Sequence, residues 1–324
     1  MGTYVRTQSI DHNVGDRSRV SLAVTSGDVQ VRGIPGGEAH IRATFKISAS
    51  SDADADRIFE AVQLRVHRAS GELSVEEHEG NHSVGSVISR LFGADGHYEL
   101  TVEAEVPVAA ELQLTAVSSD VDVTDLRGEQ RYRTVSGDLS VTNAGGSVRL
   151  ESVSGDATIR GDEPLSVQSQ GVSGDLHVTA STLRSLHANT VSGDVELETQ
   201  LAEGGDFSVE TVSGDLEVGL VGDATFEIRG LSTDVSSELD HRLEGQVDRR
   251  RLVIGSGSPR LSFSSMSGDV RVRRPRRLST QPMATEPMSE PTAAEKQSEL
   301  DVLRALERGE IDVDEATRRL ASGR

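Results

Sequence analysis

The most regular chemistry in this chain is a series of aspartates. Asp120, Asp138, Asp156, Asp175, Asp194, Asp215 and Asp234 follow one another at steps of 18 to 21 residues, with Asp28 before them and Asp269 after. Most close a Ser-Gly-Asp turn. If the units stack as strands, the carboxylates lie ~4.8 Å apart and repel by roughly 1 kcal/mol per pair in water. Calcium would relieve that repulsion, but it takes about 6–8 oxygen ligands, and each unit supplies one regular acid. The calcium-binding nonapeptide pattern is absent. Backbone hydrogen bonds around the turn satisfy the acids equally well, so the aspartates read as structural and no metal ligand is assigned.

Other reactive patterns are missing. No Gly-x-Ser-x-Gly elbow occurs, and the repeat Ser recurs too often to be a unique nucleophile. No unrepeated acid pair of the kind used on glycosides stands out. There is no Cys among the 324 residues, which removes thiolate chemistry and disulfides. His78 and His82 are the closest histidine pair, in a Gly- and Glu-rich stretch unlike a metal-bearing helix. No phosphate-binding loop is found. The expectation is a chain that is not an enzyme, with no catalytic residue and no cofactor.

The elements that carry the aspartates are repeats. Apolar residues stand six and four places before the repeat Ser (Leu112/Leu114, Phe207/Val209, Phe226/Ile228, Leu261/Phe263) and one and three places after the Asp (Leu139/Val141, Leu176/Val178, Val195/Leu197). Both are period-2 patterns of half-buried strands. Gly supplies the positive φ of the turn. The column just before Ser (Val117, Val135, Val153, Val172, Val191, Val212) is out of phase, which implies a bend or bulge. A unit this thin cannot bury its own face, so neighbours must stack. Two architectures fit: a β-solenoid with one unit per coil, or antiparallel hairpins in a meander or sandwich. Constant spacing favours a mainly β fold built as a β-solenoid of ~19-residue repeats.

The domains expected are an N-terminal β region (1–111), the repeat solenoid continuous with it (112–274), a disordered Pro-rich linker (275–292) holding four of the eight prolines, and a C-terminal helical hairpin (293–324). Residues 50–62 read as a helix capped by Ser or Asp, and 64–77 as a hairpin. Residues 83–94 read as a lid over the end of the stack. Arg271, Arg273, Arg274, Arg276 and Arg277 form a basic run, read as a solvated edge that discourages strand pairing. In the tail, Leu300, Leu303 and Leu306 share one face and Asp312 with Glu315 resembles a capping box. Helices this short need something to pack on, such as another copy of the chain.

The formal net charge is −20, which argues against nucleic acid as a partner. Aromatics make up 3% and Trp is absent, as suits a core of stacked aliphatics. No run spans a membrane and no signal peptide is visible, so the location expected is cytoplasmic or peripheral to a membrane.

The TVSGDLxV-like units resemble the bacterial "putative adhesin" β-strand-repeat family, a domain of unknown function, over residues 5–274. The tail is similar to a short helical segment, around GEIDVDEATRRL, that ends many bacterial proteins. The resemblance implies a β-solenoid, no catalytic residues, a link to adhesion or cell-envelope stress, and oligomerisation or partner docking through the tail. The function expected is therefore a non-enzymatic interaction scaffold that binds a protein partner or itself. The alternative is a polysaccharide-active enzyme or calcium-dependent binder, which requires acids clustered on one face.

Overall fold

In a computed structural model, residues 2–15, 17–77, 98–246 and 248–276 are described. The first region holds β1 (Gly2–Asn13), β2 (Arg19–Ile34), β3 (Glu38–Ala49), α1 (Asp52–Val62), β4 (Arg65–Ala69), β5 (Glu72–Glu76) and β6 (Tyr98–Pro107). The repeats form β7 (Glu111–Thr124), β8 (Glu129–Ser136), β9 (Leu139–Thr142), β10 (Gly146–Ser152), β11 (Ala157–Gly161), β12 (Leu165–Gly171), β13 (Leu176–Ser192) and β14 (Val195–Ser213). The chain continues through β15 (Leu216–Val221), β16 (Ala224–Ser232), β17 (Val235–Ser237), β18 (His241–Gln246), β19 (Arg249–Ile254), β20 (Arg260–Ser267) and β21 (Val270–Arg273).

The fold is mainly β, but the solenoid expectation is corrected. The parallel pairings close on themselves, running β7–β8–β10–β12–β13–β11–β9 and back to β7. This is a closed parallel barrel of seven strands rather than an open solenoid of separate coils. The physical reason lies in three long strands. β7 runs unbroken through the Ser-Ser-Asp corner and joins both walls. β13 and β14 run through the opposite corner, where the register of β13 shifts near Ala180–Ser185. A repeat count cannot reveal which corners are bent strand and which are turn.

Inside, the period-2 columns meet as expected. Leu150, Val167 and Leu186 from one wall and Ile159, Val178 and Leu197 from the other are at most 2% exposed. Burying each is worth about 1.5–3 kcal/mol. The out-of-phase valines point outward, two places beyond another outward residue, and of the bend or bulge expected there it is the bend that occurs, at Val153 and Val172 where the chain enters the corner. β2 pairs in parallel with β7 from Arg19 to Arg32, and β5 and β6 pair in parallel with β2. Then the pattern turns antiparallel through β6, β3 and β1.

The single helix of the described residues packs on β3. Ser51 caps it by accepting from the Asp54 N–H at 3.2 Å, and Asp52 and Asp54 occupy its first turn. Phe59 meets Phe45 edge-on at 5.4 Å. The hairpin expected at 64–77 is present as β4 and β5. The expected C-terminal α-hairpin forms no part of the described fold; it lies outside the described residues, as do His78, His82, the 83–94 insert and most of the linker.

One unit is out of chain order. β20 lies between β14 and β16, and β21 between β15 and β17. The unit that starts at Leu261 is therefore stacked between those starting at Phe207 and Phe226.

Candidate functional site

The aspartate ladder is held by the backbone. The Asp138 N–H donates to Oδ1 of Asp120 at 3.0 Å, and Asp156 to Asp138 at 2.9 Å. Asp175 donates to Asp156, Asp194 to Asp175 and Asp215 to Asp194, each at 2.8 Å. Past the inserted unit, Asp269 donates to Asp215 at 2.7 Å and Asp234 to Asp269 at 2.8 Å. Each carboxylate thus caps the N–H of the next aspartate, a charge-assisted bond that offsets repulsion along the ladder. The hydroxyls two places before the repeat Ser close the turn: Thr134, Ser152 and Thr190 donate to the carbonyls of Ser136, Ser154 and Ser192. Among the described residues, no group of three or more His, Asp or Glu side chains is arranged to hold a metal ion.

Beside the ladder, on the outer face of the second wall, lies a cluster that repeat reading missed. Glu196 and Glu198 of β14 and Glu217 of β15 converge on Arg273 of β21. The guanidinium bonds Glu217 at 2.5 Å and Glu196 at 2.7 Å, and lies 3.5 Å from Glu198. His177 bonds Glu196 at 3.0 Å, and Arg271 and Arg276 approach Glu217 and Glu196 at 3.6 Å. Burial alone would raise the Glu196 pKa, but Arg273 and His177 outweigh it and hold the carboxyl below its usual range. The same three glutamates raise Arg273 above its usual value against the effect of burial. The basic run read as a solvated edge is corrected at Arg273, whose side chain is 8% exposed and ion-paired. Arg277 lies outside the described residues. Acids do cluster on one face, as the glycoside-processing alternative requires, and a guanidinium ion-paired to three of them stands among them.

The third feature is an apolar ladder along the outer face of the first wall. Val135, Val153, Val172, Val191 and Val212 are 46–49% exposed, and Met266 and Leu231 more so. They occupy one register column from β7 to β16, half-buried Val117 included. Val117, Val135, Val153 and Val172 with Thr134, Ser152 and Gly171 line a shallow open groove.

These features define a class: a ladder-built β protein whose repeat aspartates cap its own backbone and whose glutamate cluster is ion-paired to a buried arginine. The chain belongs to the Toastrack DUF4097 family, whose profile matches residues 18–183 and again 165–273. No curated protein matches. Among solved structures, a "putative adhesin" from Bacteroides fragilis is 12% identical, covering 83% of this chain and 97% of its own, with a TM-score of 0.39. A "putative lipid binding protein" from Parabacteroides distasonis is 10% identical, covering 82% and 96%, with a TM-score of 0.32.

Proposed function

We propose that the chain is a non-enzymatic interaction scaffold whose regular outer ladders are its contact surfaces. The observation that carries this reading is the commitment of its chemistry to structure. Aspartate carboxylates cap the backbone from one unit to the next, and Arg273 is ion-paired to Glu196, Glu198 and Glu217 on the second wall. What remains free and repeated is surface. The tie to adhesion or envelope stress rests on the family resemblance alone.

The test incubates the full chain with envelope polysaccharides and follows reducing ends, binding and melting midpoint, with calcium or with chelator. The reading expects no turnover and a midpoint indifferent to calcium. Release of reducing ends that Glu196→Gln abolishes would establish the glycoside-processing alternative instead. A midpoint raised by calcium would establish the calcium-dependent one.

A further inference from the structure

We propose that the valine ladder is a self-association surface, on which a second copy of this chain docks with its units in reversed order. This goes beyond the scaffold reading and is decided by different measurements.

The ladder repeats at the strand spacing of ~4.8 Å. From Val117 to Met266 it runs through Val135, Val153, Val172, Val191 and Val212, on the order of 30 Å, and Leu231 continues it one rung further. A partner must match that repeat along its length. A helix repeats every ~5.4 Å and slips out of phase by about half a rung within five units. An extended strand presents same-face side chains roughly 6.7 Å apart and slips sooner. The surface that keeps step over seven rungs is another such ladder, as in the interdigitated faces of stacked sheets, and a two-fold pair of copies provides it.

Charge supports this choice of partner and selects the direction. The chain carries −20, but the acids of the aspartate column and of the Glu196 cluster lie elsewhere, past the Ser-Gly-Asp corner. Beside the valines, the outward column two places earlier reads Arg133, Glu151, Gln170, Asn189 and Glu210, which sums to one negative charge. Arranged with units in the same order, a two-fold pair runs its strands in opposite directions, so Arg133 and Glu210 face away from each other across the valine column. Reversed about Val172, they put Val153 against Val191, Val135 against Val212, and Arg133 against Glu210. Oppositely charged neighbours across a sheet contact are favourable and like ones are not. Arg133 already bonds Glu151 at 2.7 Å, which holds its guanidinium on this face.

The test measures mass in solution by light scattering on the full chain across micromolar concentrations. The proposal expects twice the 34.6 kDa chain mass. Substituting Val153, Val172 and Val191 by Thr keeps shape and β-branching but removes the apolar surface, and is expected to give monomers with an unchanged circular dichroism spectrum. Arg133→Glu is expected to weaken the dimer by about tenfold, and adding Glu210→Arg to restore it. A full chain that stays monomeric, a threonine variant that still dimerises, or a charge swap that fails to restore association each overturns the proposal.

Discussion

Gly155 has a φ of +104°, and a Cβ there would lie 2.2 Å from the Gly137 carbonyl oxygen; Gly174 stands on Gly155 in the same way at 2.1 Å. The turn therefore excludes a side chain for two reasons, a left-handed backbone and a carbonyl from the unit below. Ser119 and Thr233 take the glycine place in the units that start at Leu112 and Phe226. Gly155→Ala is expected to cost about 2–4 kcal/mol in denaturant unfolding. The aspartate beside it needs an acceptor, not a charge. Asp175→Asn should leave stability nearly unchanged, since an amide oxygen still accepts from the Asp194 N–H, while Asp175→Ala should lose about 1 kcal/mol. Gln130 is a different case. Fully buried, it accepts from the Tyr132 hydroxyl at 2.9 Å and donates to the carbonyls of Leu126 and Gly145 at 3.2 and 3.1 Å. Burial pushes the Tyr132 phenol far above its usual value, so it stays a donor. Gln130→Leu orphans all three partners, and a loss of about 1–3 kcal/mol is expected from the same measurement.

At the scale of elements, β21 is fastened by Arg273 to three glutamates on two other strands. Removing a buried partner from such a cluster leaves its charges uncompensated. With Glu196 and Glu217 partly exposed, Arg273→Met is expected to cost about 2 kcal/mol near neutral pH, after discounting for solvent screening. The pH dependence follows from Glu196. Its folded pKa lies below its usual value, so its contribution is present above the ordinary carboxylate range and is lost as pH falls through the folded value. The penalty of Arg273→Met should therefore shrink in acid, which paired unfolding curves at neutral and acid pH would show; a pH-independent penalty would mean that packing alone is lost. The strand alternation, the capped helix α1 and the β4–β5 hairpin were all legible, because each is a local pattern of burial or capping. The Arg273 cluster was not. Its members come from positions 196, 198, 217 and 273, and only the inserted unit brings β21 beside β15. In a single sequence, an arginine run bound for ion pairs looks the same as one bound for solvent. The valine column was legible as the approach to a bend, but not as an exposed apolar face, since an apolar residue on an outward strand position breaks the period as a bulge would.

For the whole molecule, repeat spacing showed that units stack and left open how the stack ends and in what order it runs. The closed barrel depends on β7 and β13 bending through corners, and no residue type in those corners distinguishes bent strand from turn. Unit order is subtler. Chain order places the unit at Leu261 last, so a solenoid built in sequence would lose only its end if that unit were removed. In the observed fold this unit supplies the middle layer: Phe207 and Phe226 both pair with Leu261, and Val209 and Ile228 both pair with Phe263. Leu216 and Val235 likewise both pair with Val270. Emptying Leu261 and Phe263 into alanine, each fully buried in the chain as it stands, should cost about 5 kcal/mol or more together, as large-to-small core changes do. Where the damage falls is the decisive reading. Hydrogen exchange should show lost protection on both sides of the inserted unit, in β14 from Phe207 to Glu210 and in β16 from Phe226 to Arg229, while β8, β10 and β12 keep theirs as more distant layers. If protection were lost only from Arg260 onward, β20 would be a terminal layer and the stacking order derived from its pairings would be wrong.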